Sequence, residues 1–193
     1  MNSKLGATEA LGWVAIGAAG VVAAGIAMYL FLGDPEGSIA VGPIDSHRPQ
    51  VGAIAPDFAL VDARDGETVR RLSDFRGKTI VLNWFASWCG PCRSEMPDFE
   101  EAYQSLGAED GEVVFLLVNL QESRTTAIGM LLEMETTYPA LLDQEGSVAD
   151  HYRVVGMPTT FFIDTDGVIY ATGRGRVTAE ALRGELRALG HSY

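Results

Sequence analysis

Apolar positions are unevenly distributed along this chain. From Leu11 through Leu32 no charged side chain occurs; Ala and Gly dominate the first part, while Ile26, Met28, Tyr29, Leu30, Phe31 and Leu32 make the later part greasier. At about 1.5 Å rise per residue, such a run is long enough to cross a hydrocarbon core of roughly 30 Å. Trp13 and Tyr29 lie near its ends, where amphipathic rings favour the headgroup level. The expectation is an N-terminal segment with a transmembrane anchor within residues 1–32, touching the lipid bilayer through residues 11–32. A cleaved export signal is the competing reading, although its apolar core is normally about 7–15 residues long. Lys4 before the run, with Asp34 and Glu36 after it, tips the bulk of the chain outward. The protein is thus expected in the cytoplasmic membrane as a single-pass protein, its soluble domain on the extracytoplasmic side.

Residues 33–50 mix Gly, Pro and polar residues with isolated apolar ones and show no period, the pattern of a linker. Regular patterning begins at residue 51 and continues to the last residue. Ala55–Leu60 leads through a turn at Asp65-Gly66 to a short strand near Thr68–Arg70, and Leu72–Lys78 reads as a single helical turn. Thr79–Phe85 and Val113–Val118 are continuous apolar runs, as in strands buried on both faces. A helix is expected from Pro91 to about Leu106, where Pro91 suits the first turn and Pro97 should kink or open the later ones. Further helices are expected over Thr125–Glu135, Ser147–Tyr152 and Thr178–Leu189, and a short strand over Ala140–Leu142. Thr159–Ile163 and Val168–Thr172 flank Asp164-Thr165-Asp166-Gly167, the clearest hairpin. Helices interspersed with strands before a terminal antiparallel pair imply one α/β domain over 51–193, a mixed central sheet between helical layers.

Composition narrows the function classes. Residues 51–193 carry 12 Lys and Arg against 22 Asp and Glu, a formal charge of −10. That argues against nucleic acid as a partner. Gly173, Arg174, Gly175 and Arg176 lack the strand-to-helix context of a phosphate loop. His47, His151 and His191 neither cluster nor show ligand spacing, so no metal or other cofactor is expected.

The chemistry lies in Cys89-Gly90-Pro91-Cys92, the only two cysteines of the chain, preceded by Trp88. A turn followed by a helix places Cys89 at a helix N-terminus, where free backbone N–H groups and the macrodipole stabilise a thiolate. Cys89 is the expected attacking sulfur and Cys92, one turn deeper, the resolving one; Trp88 restricts the approach of a partner. Glu95, three residues after Cys92, shares its helix face and could accept the resolving thiol's proton, its pKa raised by burial. Arg93 is expected to face elsewhere. Met157-Pro158 precedes the hairpin; a cis bond there would form a tight loop able to face the disulfide and pair with an extended partner segment, but X–Pro bonds are mostly trans.

Ala55-Pro56-Asp57-Phe58, the segment Leu72–Lys78, the segment Val81–Pro97 around the cysteine pair and the segment Val155–Asp164, in that order, resemble the membrane-anchored thiol–disulfide oxidoreductases of the TlpA/ResA type, in the thioredoxin-like superfamily. The resemblance implies a thioredoxin-like three-layer sandwich, a cis Pro158, an exposed nucleophile at Cys89 and a tuning role for Glu95. Asn83 falls where cytosolic-type thioredoxins carry a buried aspartate, which makes Glu95 the natural substitute. Gly90-Pro91 matches the general thioredoxin dipeptide and leaves the redox direction open; with Trp88, Met157 and Pro158 it forms the implied substrate-binding surface. The family includes reductants that keep apocytochrome c cysteines reduced for haem attachment. The implied partners are disulfide-bearing proteins, apocytochrome c among the candidates, and a membrane thiol-electron carrier as reductant. Competing readings are a disulfide-forming oxidase, a thiol peroxidase and a non-enzymatic adaptor. Peroxide-reducing relatives place Thr or Ser with Pro before the reactive cysteine, where this chain has Trp88, with Cys92 as resolving partner.

Overall fold

The computed structural model describes residues 42–43, 47–106 and 111–193. The apolar run at residues 11–32 lies outside them; among the described residues no helix is long and apolar enough to cross a membrane.

Two strands form the centre because they have no polar face to offer water. β4 (Thr79–Phe85) and β5 (Val113–Leu120) pair in parallel, Ile80 opposite Val114 and Trp84 opposite Val118. Parallel neighbours need a crossover, and α1 (Gly90–Ser105) supplies it. Side chains alternate between the two faces. Val81 and Phe85 join one core with Phe115 and Leu117, while Ile80, Leu82 and Trp84 join the other with Leu116 and Val118. Asn83 falls between Val81 and Phe85, so the alternation turns it toward the face covered by α1.

The sheet order is β1 (Gly42–Pro43), β2 (Phe58–Asp62), β6 (Ala140–Asp143), β5, β4, β7 (Thr159–Ile163) and β8 (Ile169–Arg174), with β3 (Val69–Arg71) on the other side of β2. β1 pairs with Phe58 and Ala59 and lies within the segment read from sequence as linker. β5 and β6 are parallel; β2, β7 and β8 run antiparallel to their neighbours, which makes the sheet mixed as expected. α1, α2 (Arg124–Glu133) and α4 (Ala179–Ala188) pack on one face through Met96, Phe99, Met130, Leu182 and Leu186. The other face is covered by the short α3 (Ser147–His151) and the 3-10 turn Leu72–Phe75 through Val148 and Leu72, joined there by Tyr152. Each large side chain fully buried in these layers contributes about 1.5–3 kcal/mol.

The β7–β8 hairpin closes as its residues predict: Asp164 Oδ1 accepts from the backbone N–H groups of Asp166 and Val168, and Gly167 takes the left-handed φ of +81° that the turn requires. At Pro97 the helix does not open. α1 runs unbroken through it, the Arg93 carbonyl losing only the one donor that proline lacks.

Candidate active site

Cys89 caps α1. Its backbone is extended (φ −83°, ψ 99°), and its Sγ accepts the N–H of Cys92 at 3.2 Å. Pro91 sits in the first turn, where its missing N–H costs nothing. The two cysteines are joined in a disulfide, Cα atoms 5.3 Å apart. The helix start therefore delivers a backbone N–H to the sulfur expected to carry negative charge on reduction.

Exposure corrects one expectation. Cys89 retains only 3% of its surface and Cys92 none. In the disulfide form Cys89, the expected nucleophile, is therefore nearly covered, though it remains the more accessible residue of the two. What stands in solvent is its surround: Trp88 is 72% exposed, and Gly90 and Pro91 are exposed as well.

Cys92 and Glu95 lie on the buried face of α1, and Glu95 keeps 1% of its surface. Asn83 Nδ2 donates to Glu95 Oε1 at 2.8 Å, and the backbone N–H of Val177 donates to Oε2 at 2.8 Å. Burial dominates the proton affinity of this carboxyl and pushes its pKa up to about 7, against the opposing pull of the Val177 and Asn83 hydrogen bonds and the positive charge of Arg176. Asn83 Nδ2 also donates to Thr160 Oγ1 at 2.9 Å, across the β4–β7 pair in which Asn83 and Thr160 face each other. Arg176 is held to Asp98 at 3.5 Å. Arg93, which the sequence directs away from the site, pairs with Glu133.

The Met157–Pro158 peptide is cis, and the Pro158 carbonyl accepts from Gly175 N at 2.8 Å. Pro158 itself is buried and Met157 half-buried.

Tertiary structure adds a residue that sequence reading missed. Glu122, just beyond β5, accepts from Ser87 N at 2.9 Å, from Ser87 Oγ at 2.5 Å and from Asn119 Nδ2 at 2.7 Å. It clamps the loop that carries Trp88 and Cys89 into α1. The one signal that could have found it is topological: parallel strands β4 and β5 end at the same edge of the sheet, where α/β folds gather their functional loops. Val177 and Arg176 were missed for a related reason, since a backbone N–H reaching in from a distant loop leaves no mark in the sequence. Among the described residues no group of three or more His, Cys, Asp or Glu could hold a metal ion.

The arrangement is a disulfide at a helix N-terminus, a buried carboxyl of raised pKa one turn further along, and a proline loop at the start of β7. It suits dithiol–disulfide exchange. Comparison with known proteins agrees. The model of the AhpC/TSA family matches residues 51–172. The thiol-disulfide oxidoreductase ResA of Geobacillus kaustophilus is 35% identical over 139 residues, covering 72% of this chain and 78% of that protein. A structure from Chlorobium tepidum, assigned as a thiol:disulfide interchange protein DsbE, is 32% identical with a TM-score of 0.63, covering 72% of this chain and 97% of that one. A secreted thiol-disulfide isomerase from Corynebacterium glutamicum is 25% identical with a TM-score of 0.64, covering 82% and 96%.

Proposed function

This chain belongs to the AhpC/TSA family and is a thiol–disulfide oxidoreductase, and on that premise we propose that it works as a reductant of disulfide-bearing proteins outside the cytoplasm. The observation that carries the reading is the buried Glu95 carboxyl, held by Asn83 and Val177 three residues beyond the resolving cysteine.

The direction follows from charge. A dithiol becomes a strong oxidant when its reduced form is stabilised, as a cation beside the thiolate would do. Here the carboxyls of Glu95 and Glu122 bracket the start of α1, and Arg93, next to Cys92, is taken up by Glu133. Negative neighbours disfavour a thiolate, so electrons leave this dithiol readily.

In the reduced protein the Cys89 thiolate attacks one sulfur of a substrate disulfide. A new S–S bond forms, the substrate bond breaks, and the departing substrate thiolate takes a proton from water. Cys92 then loses its proton to the Glu95 carboxylate and attacks Cys89 Sγ, which restores the internal disulfide and frees the second substrate thiol. Two electrons pass to the substrate, and a membrane thiol-electron carrier returns them. Trp88, Gly90, Pro91, Met157 and Pro158 form the surface on which the partner segment lies, and residues 11–32 hold the domain at the membrane. Apocytochrome c cysteines awaiting haem are a fitting substrate.

Redox titration of the full chain tests the direction. A midpoint near or below that of thioredoxin, about −270 mV, is expected; one near the roughly −120 mV of a disulfide-forming oxidase would overturn the reading. Consumption of peroxide at a comparable rate would instead favour a peroxidase.

A further inference from the structure

On the sheet face opposite α1, a groove of about 500 Å³ runs between β7–β8, the turn after α3 and the segment Pro49–Val51. Thr159 and Phe161 of β7 and Thr172 and Arg174 of β8 line it, with Arg153 on the far wall. No carboxylate is among its lining residues, in a chain of formal charge −12.

Its arginines combine a free guanidinium, which among the described residues they share with the exposed Arg48, Arg71 and Arg187, with a place in one groove. Arg64, Arg70, Arg93, Arg124 and Arg176 are all engaged by carbonyls or carboxylates of the fold. Arg153 and Arg174 are exposed, and neither guanidinium has an ion pair or hydrogen bond among the described residues. Arg153 moreover stands at φ +53°, just past the C-cap of α3. Glycine is the usual occupant of that left-handed position, and here it carries a long cationic side chain.

One end of the groove, at Thr159, adjoins the proline loop in sequence. Arg174 is the strand partner of Thr159, which follows Pro158 directly, and Gly175 N binds the Pro158 carbonyl. A polypeptide lying on the proline loop can therefore continue into the groove. Paired guanidiniums with no internal partner suit carboxylates, which they can grip through two parallel hydrogen bonds.

We propose that this groove is a subsite for an acidic stretch of the polypeptide substrate, bound by Arg153 and Arg174. The proposal deepens the reductase reading and rests on it for the identity of the occupant. It gives the enzyme a preference among disulfides that the cysteine motif alone does not supply.

The test uses the full chain and two disulfide-bearing peptides that differ only in whether the flank of the cystine carries Asp and Glu or their amides. At low salt kcat/KM is expected to favour the acidic peptide by about three- to tenfold, the scale of a pair of exposed ion pairs, with the difference carried by KM. High salt should shrink it. In R153Q/R174Q the ratio falls to about one, whereas R153K/R174K retains most of it. A ratio near one in the unmodified protein, or one that survives R153Q/R174Q, overturns the proposal. Binding of the acidic peptide with its cysteines replaced by serine separates the two readings. If that binding depends on both arginines while no disulfide is reduced, the groove stands and the reductase reading falls; reduction without acidic preference sinks the groove alone.

Discussion

Asn83 and Glu95 meet inside the fold, amide N–H to carboxylate oxygen at 2.8 Å, although one lies mid-strand and the other on a helix. The contact joins β4, the centre of the sheet, to the helix that carries both cysteines. It also leaves Glu95 in tension: two donors favour the ionised form, while the loss of water favours the neutral one, and burial prevails.

That balance predicts the pH dependence of stability. The folded-state pKa of Glu95 lies near 7 against an ordinary value of 4.5. Between these values the folded protein binds more protons than the unfolded chain, so stability must fall as pH rises through the window, on the order of 3 kcal/mol in all. Glu95→Gln removes the titrating group and should flatten the slope: its amide N–H opposes a donor and lowers stability by about 1 kcal/mol at pH 4, while at pH 8 the variant should equal or exceed the unmodified protein. Urea midpoints of the oxidised protein between pH 4 and 8 check this; a parallel slope in the variant would reject it.

Asn83→Asp replaces the donor by a second carboxyl facing Glu95. Two adjacent buried carboxylates cannot both ionise, so one holds its proton well above neutrality. The variant should lose about 3–5 kcal/mol at pH 8, the cost of an uncompensated buried charge, and markedly less at pH 5. Thermal melts at the two pH values give the comparison.

Removing the Glu122 clamp strands three donors, two of them on Ser87. Glu122→Ala should cost about 1–3 kcal/mol and alter the alkylation rate of Cys89, because the loop ahead of α1 loses its anchor. Glu122→Gln should recover part of both. Iodoacetamide kinetics across pH provide the readout, and unchanged kinetics in the alanine variant would show that the loop holds itself.

Exchange chemistry requires that Cys92→Ser arrest the reaction at the mixed disulfide through Cys89. Incubated in reduced form with a disulfide-bearing protein, the variant should run as a covalent adduct that dithiothreitol releases, and Cys89→Ser should form none. Equal trapping by both variants would show that the attacking sulfur has been misassigned.

Tyr138 is fully buried beside Tyr103 and Phe115, and its hydroxyl has no hydrogen-bond partner among the described residues. Burial, with the negative charges of Glu95 and Glu100, holds its pKa well above the usual phenol value. Tyr138→Phe removes an unsatisfied polar group and should raise stability by about 1 kcal/mol, read as a higher urea midpoint.

Much of this molecule is legible in its sequence, because the signals are local. Continuous apolar runs identified β4 and β5, the Asp-Gly turn marked the β7–β8 hairpin, and the cysteine spacing at a helix start located the redox pair. Other features required the chain to fold back on itself. The partners of Glu95 come from β4 and from residue 177, and Glu122 reaches Ser87 only because two parallel strands end side by side. The covering of Cys89 and the isolation of Arg153 and Arg174 are likewise products of packing. Hydrophobic period and turn chemistry are written in neighbouring residues, whereas burial, and the proton affinity and pairing that follow from it, depend on which distant segments exclude the water.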